Sequence, residues 1–329
     1  MGRFEEIIGQ ERAAEHLKMA VQEGKVSHAY LIQGEAGVGK RMLAEIFAQA
    51  LVCENDHDRP CGVCRSCHQA ETHNHPDIHY VTHERPALIS VSEIRSQVVS
   101  DVVIRPAGGR YKIYIIEDAE KMNPQAQNAL LKTLEEPPEY AVMLLLTVND
   151  QALLETIRSR CVRLEMYPVR QDLVERYLME HAQIPDYQAR LCAAFAQGSI
   201  GRAMELARSE NFAQIRSTAL MIATRARQMD TAQIAQTVKE MAQYKLTINE
   251  FLDILAVWYR DVLYFKATRS MDALIFKDQL QQIRSAAQLS SYEGIEQILA
   301  AISTAKERIL ANVGFDLTME LLFLTIKEN

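Results

Sequence analysis

No stretch of this chain is apolar for long enough to cross a bilayer. Its first residues, Met1-Gly2-Arg3-Phe4-Glu5-Glu6, lack the layout of a signal peptide. Both shortages make a cytoplasmic protein without membrane contact the expectation. Positive charge is also short. Lys and Arg number 36 against 43 Asp and Glu, a formal net charge of −7. That balance counts against a generic basic DNA-coating protein, while local or partner-mediated contact with nucleic acid stays open. Low-complexity linkers are missing, and so are heptad runs of coiled-coil length. Proline ends at Pro185 and glycine is absent between Gly201 and Gly294. With so few breakers, the chain reads as wholly helical from Gln171 onward. Its 329 residues suffice for two or three domains.

What is present centres on one stretch. The apolar run Ala29-Tyr30-Leu31-Ile32 leads into Gln33-Gly34-Glu35-Ala36-Gly37-Val38-Gly39-Lys40-Arg41, and a helical pattern follows from Met42. Strand, glycine turn and helix in that order make a phosphate-binding loop. Gly34, Gly37 and Gly39 let backbone N–H groups converge on phosphate oxygens, and Lys40 stands where the motif places its lysine. The motif then wants Ser or Thr as a Mg²⁺ ligand, but Arg41 follows. A guanidinium cannot ligate Mg²⁺ and brings a second cation. The bland alternative is a glycine turn that happens to precede a helix; the flanking elements and the lysine favour the loop. ATP or ADP binding is left open, and Mg²⁺ is doubtful.

Tyr111 to Ile116 reads as a strand ending in Glu117-Asp118. In phosphate-loop enzymes such a strand end carries the acid that positions Mg²⁺; elsewhere a pair of acids is often merely solvated. Arg158, Arg160 and Arg163 put three arginines within six residues. They read either as surface charge or as an arginine finger aimed at a neighbour's phosphate.

Cys53, Cys61, Cys64 and Cys67 form a C-x7-C-x2-C-x2-C cluster with Pro60 and Gly62 at the turns. Four thiolates at such spacing suit a closed, structural zinc site, whereas catalytic zinc needs an open position. A disulfide pair is disfavoured in a cytosolic chain. His57 and His68 read as loop histidines, and His73, His75, His79 and His83 share no helical face. Helices are expected over 11–21, 41–52 and 125–136, and from Ser92 to before Arg105-Pro106, with a buried strand over 141–148. Alternating strands and helices up to about residue 165 indicate a doubly wound α/β domain, followed by an all-α part.

Taken together, these pieces resemble clamp-loader subunits of the AAA+ superfamily, within them the delta-prime family of bacterial DNA polymerase III. The residues that carry the resemblance are Ile8-Gly9-Gln10, Ser27-His28-Ala29-Tyr30 ahead of the glycine loop, and the four-cysteine insert. Further along are Asn128-Ala129-Leu130-Leu131-Lys132-Thr133-Leu134-Glu135-Glu136-Pro137-Pro138 and Ser159-Arg160-Cys161. The tail matches more loosely, through Ala256-Val257-Trp258-Tyr259-Arg260-Asp261 and Arg308-Ile309-Leu310-Ala311-Asn312-Val313.

The resemblance implies an AAA+ nucleotide-binding domain over 1–166 with a zinc module at 53–67, a helical lid over 167–210 and a helical collar over 211–329. It implies gamma/tau-type and delta-type partners in a hetero-pentamer that loads the sliding clamp on primed DNA during replication. Arg160 is similar to the finger that reaches an adjacent ATPase subunit, and Arg202 to a lid arginine that senses γ-phosphate. Thr147 or Asn149 falls at the strand-end sensing position, and the four cysteines match the family's zinc module.

Two departures matter. Arg41 replaces the Mg²⁺ ligand, and Glu117-Asp118 reverses the usual acid order. Displacements of about 1 Å cost about a hundredfold where catalysis depends on positioning. A non-hydrolysing stator that lends Arg160, without ATP turnover of its own, is therefore the expectation. An active gamma/tau-type ATPase subunit would instead show turnover that disappears with Lys40. A zinc-dependent DNA-binding module would show salt-dependent binding to primer-template DNA by the chain alone.

Overall fold

The structure, a computed structural model, describes residues 3–329 apart from 86, 242–244, 246 and 312. Met1, Gly2 and Asn312 of the stretches read above therefore lie outside the described residues. The chain divides into two compact units, Met1–Val174 with Gln197–Gly201, and Glu175–Ala196 with Arg202–Asn329. Residues expected to form a separate lid over 167–210 contribute to both units.

In the first unit the order is α1 (Glu11–Gln22), β1 (Ala29–Gln33), α2 (Lys40–Val52), α3 (Arg65–Glu71), β2 (Ile78–Val81), α4 (Val91–Ile94) and β3 (Lys112–Ile116). It continues with α5 (Pro124–Glu135), β4 (Ala141–Thr147), α6 (Glu155–Arg158) and β5 (Val162–Glu165). The strands form one parallel sheet in the order β2-β3-β4-β1-β5. Side chains alternate between sheet faces, so a sheet covered on both sides needs apolar residues at every position. That is what β1, β3 and β4 supply. Tyr30, Ile32, Ile113, Ile115, Val142, Leu144 and Leu146 enter one core with α1 and α2. Their neighbours Leu31, Tyr114, Ile116, Met143 and Leu145 enter a second core with α5.

One expected helix differs. Instead of opening at Ser92 and continuing to about 104, α4 is capped by Ser90 and gives way to a π-helical turn over Arg95–Val99. The Ser90 Oγ accepts the Glu93 N–H at 3.4 Å, and the Glu93 carboxylate accepts the Ser90 N–H at 2.6 Å. Glu93 stands three residues after Ser90, which closes a capping box. Nearby, buried Asp77 accepts N–H groups of Ala107, Gly108 and Gly109 at 2.6, 3.2 and 3.0 Å. That explains how the Gly108-Gly109 turn is held.

Beyond β5 the structure is helical: α7 (Gln171–Ala182), α8 (Asp186–Ala196), α9 (Ile200–Arg208), α10 (Glu210–Arg225), α11 (Thr231–Glu240) and α12 (Ile248–Thr268). Then come α13 (Leu280–Leu289), α14 (Tyr292–Leu310) and α15 (Phe315–Glu328). No helix among the described residues is long and apolar enough to cross a membrane. The central helix of the second unit is α12, packed against α10, α13 and α14. Its Trp258 is fully buried and meets Phe276 edge-on at 5.7 Å. One turn on, buried Asp261 accepts the N–H groups of Ile275 and Phe276 at 2.7 and 2.8 Å, tying the connection before α13 to α12.

Replacing Asp261 tests that tie. Asp261→Ala leaves two buried N–H groups without an acceptor, at about 1–3 kcal/mol each. Asp261→Asn keeps an acceptor. What it gives up is the carboxylate's contact with Arg260 at 3.3 Å, on an arginine that is itself exposed. Fluorescence of Trp258, the only tryptophan in the chain, follows the unfolding. The alanine variant is expected to lose about 3 kcal/mol and the asparagine variant no more than about 1 kcal/mol.

Candidate functional site

The carboxyl ends of parallel strands are where an open α/β sheet binds its ligand. Gly34 follows β1 there, Glu117 and Asp118 follow β3, and Thr147 ends β4. The sheet thus gathers the glycine loop, both acids and Thr147 at one edge. Gly39 is the N-cap of α2, at a φ of +100°, and brings no side-chain cap. First-turn N–H groups of a helix have no partner within it, which suits an anion. At Gly34 a Cβ would stand 2.8 Å from the Met166 carbonyl oxygen and 2.9 Å from Val38. The loop can pass there only without a side chain. Ser199 Oγ donates to the Gly37 carbonyl at 2.9 Å, fastening the loop.

Lys40 lies back over its own loop, with Nζ donating to the Gly34 and Glu35 carbonyls at 2.6 and 2.8 Å. Burial lowers its pKa, opposed by the charges of Glu120 and Asp118. An anion in the loop would offer this half-buried ammonium a charged partner in place of two carbonyls.

Arg41 is held by several groups. Its Nε donates to Glu45 Oε1 at 2.8 Å, and Nη1 lies 3.2 Å from Glu117 Oε1. His73 Nε2 is 3.5 Å from Nη2, and the Tyr80 ring centroid is 5.8 Å from the guanidinium carbon. Glu45 also meets His73 at 3.0 Å. The second acid, Asp118, pairs with Lys121 Nζ at 2.8 Å. Both strand-end carboxylates therefore already have cationic partners from the protein. Mg²⁺ does not fit this arrangement. The Ser/Thr ligand is missing, and the acid that would position the ion is paired with the residue that replaced it. Near a protein surface, like unit charges about 4 Å apart repel by about 4 kcal/mol, and a divalent ion doubles that.

Thr147 is buried, and its hydroxyl donates to Glu120 Oε2 at 2.7 Å. Asn149 Oδ1 accepts the Gln151 N–H at 3.0 Å. Arg202 belongs to the second unit, on α9, where its charge opposes the burial-driven rise in the Glu250 pKa. Glu45, Tyr80 and Glu120 had been missed in the sequence. Only Glu45 carried a local signal there, four residues after Arg41 on one helix face.

Arg160 stands at the other end of the sheet. It precedes β5 by two residues, and β5 begins opposite Tyr30, four residues before Gly34. At about 3.3 Å per strand residue, the start of β5 is about 13 Å from the loop. The Arg160 Nη2 is 2.8 Å from Glu135 Oε1 at the end of α5, and Nη1 donates to the Thr156 carbonyl at 2.9 Å.

The four cysteines converge as their spacing predicts. Their sulfurs lie within 4.8 Å of one another, with Cys61 and Cys67 at 3.9 Å. Tetrahedral zinc at a Zn–S distance of about 2.3 Å requires sulfurs about 3.8 Å apart, so the set fits such an ion. The N–H groups of Cys61 and Cys67 point to the sulfurs of Cys53 and Cys64, each at 3.4 Å. Among the described residues this is the one group with metal-ligand geometry. His57 and His68 are exposed outside it, and His75 and His79 sit apart on β2 and the turn before it.

Residues 9–170 match the family described as "DNA polymerase III, delta subunit", and residues 210–326 match "DNA polymerase III, delta subunit, C terminal". The DNA polymerase III subunit delta' of Bacillus subtilis (strain 168) is 32% identical over 327 residues, covering 97% of this chain and 96% of that protein. The chain belongs to the delta-prime family of DNA polymerase III clamp-loader subunits. Its delta-prime character is set beside a wider kinship. The DNA polymerase III subunit tau of Escherichia coli (strain K12) is 34% identical over 209 residues, 62% of this chain and 32% of that longer protein. A DNA polymerase III gamma subunit-related protein from Thermotoga maritima superposes with a TM-score of 0.51 at 18% identity, covering 95% of this chain and 98% of that one. At that identity the likeness is one of fold, and it agrees with a delta-prime chain built as a parallel α/β sheet followed by helices.

Proposed function

We propose that this delta-prime-type subunit is a non-hydrolysing stator of the clamp loader, lending Arg160 to a neighbouring ATPase subunit. The observation that carries the reading is the polarity of the sheet. The chain's own phosphate loop is at the carboxyl ends of the strands and Arg160 is at the amino ends, so Arg160 is out of reach of its own loop. The Arg41–Glu117 pair supports the other half, because it occupies the acid that hydrolysis would assign to Mg²⁺. Gamma/tau-type and delta-type subunits are the proposed partners in a hetero-pentamer acting on the sliding clamp and primer-template DNA in the cytoplasm.

Within that reading, 1–166 is the nucleotide-binding domain, 167–210 the lid and 211–329 the collar that joins the ring. Exposed Leu310, Leu317 and Leu321 on α14 and α15 support a collar contact. Zinc held by Cys53, Cys61, Cys64 and Cys67 braces the insert and takes no part in chemistry. The test is ATP turnover by the isolated chain with Mg²⁺, primed DNA and clamp. It is expected at background. Turnover that disappears on Lys40→Ala would overturn the stator and favour a gamma/tau-type motor.

A further inference from the structure

The Mg²⁺ position raises a question that absence of hydrolysis leaves unanswered: what the loop still binds. Ordinary phosphate loops take a nucleotide as its Mg²⁺ complex, with the metal shared between phosphate oxygens, a hydroxyl after the lysine and a strand-end acid. Here the cradle persists while the metal's share is filled by the protein. Gly34 and Gly39 keep the backbone in the shape an anion needs, and Lys40 donates to two carbonyls of its own loop. Glu117 is neutralised by Arg41 and Asp118 by Lys121. Glu45 and His73 also contact the guanidinium, through Nε and Nη2, so it is tethered at more than one point.

We infer that this loop takes the phosphates of a nucleoside di- or triphosphate as the metal-free anion, Arg41 standing in the place of Mg²⁺. The inference rests on the non-hydrolysing reading of the same loop and gives its ligand. Charge accounts for the preference. A free polyphosphate meets loop amides, Lys40 and Arg41, while the two strand-end acids that would repel it are each paired with a cation of the protein. A Mg²⁺ complex brings a divalent cation against the guanidinium and offers it no uncommitted carboxylate from the two strand-end acids. Mg²⁺ thus competes with the protein for the ligand. No bond forms or breaks, and the site holds its nucleotide as a fixed part of the ring surface.

Calorimetric titration of the full chain with ADP, in excess EDTA and then in millimolar Mg²⁺, tests this. The Kd in EDTA is expected to be equal to or smaller than that in Mg²⁺. Arg41→Ser, on the exposed start of α2, restores a hydroxyl and frees Glu117, and is expected to reverse the order, with Mg²⁺ tightening ADP by about tenfold. Circular dichroism melting checks that the variant is folded. Tighter ADP binding by the wild type with Mg²⁺ than without would overturn the inference, as would no ADP binding under either condition. Either failure leaves the stator reading standing, because that reading is decided by turnover and by Arg160.

Discussion

In the assembled loader, Arg160→Ala is expected to lower ATP turnover by roughly 10³-fold or more, the scale at which an arginine finger acts in phosphoryl transfer. The cost of deploying the side chain is small by comparison. Its ion pair with Glu135 is 35% exposed on the arginine side and 49% on the glutamate side. Exposed pairs of that kind contribute about 0–1 kcal/mol, whereas a factor of 10³ in rate is about 4 kcal/mol. Contact with a developing phosphoryl charge therefore outweighs contact with Glu135. Arg160→Lys keeps the charge but loses the planar fork, and should recover only part of the rate. The loss should appear in kcat of the assembled loader. A turnover unchanged by Arg160→Ala would make Arg160 simple surface charge.

Removing the metal should have the second large effect. Purified chain is expected to carry about one zinc, and Cys67→Ser, at a buried position, to carry almost none. Structural zinc supplies apparent binding energies of about 10 kcal/mol or more in small modules. Residues 54–63 contain no regular helix or strand among the described residues and are mostly exposed. Besides the cysteines they are held by exposed side-chain contacts, such as Glu54 with Ser66 and the Asn55 carboxamide oxygen with the His57 N–H. Limited proteolysis should cut this stretch in the chelated wild type and in Cys67→Ser, while the sheet, whose two cores form without the cysteine sulfurs, persists. A zinc-free purified chain with four freely titratable thiols would remove the assignment.

Much of this architecture was legible because buried parallel strands demand apolar residues on both faces. That made β1, β3 and β4 visible as near-continuous runs, and the glycine loop after β1 visible as their functional end. The cysteine cluster was legible for a different reason: its short spacings force convergence. What sequence could not supply was partnership across the sheet. Arg41 reads as a missing Mg²⁺ ligand, but its pairing with Glu117 depends on β3 and β1 ending at the same edge with β4 between them. The opposite placement of Arg160 depends on the parallel register of β5 against β1. Glu135 as its partner depends on α5 returning along the sheet. Asp77 and Asp261 look like ordinary acids until the turns they cap are folded over them. The helix read from Ser92 starts one residue earlier, because Ser90 closes the capping box with Glu93, and it runs on as a π-helical turn only to Val99.

The most direct measurement is a structure of the assembled loader with a non-hydrolysable ATP analogue and Mg²⁺. The account predicts that Arg160 has left Glu135 for the phosphates of the neighbouring subunit, while the Arg41–Glu117 pair stays closed with no Mg²⁺ beside it. Arg160 still paired with Glu135, together with Mg²⁺ seated at Glu117 in this chain's own loop, would contradict it.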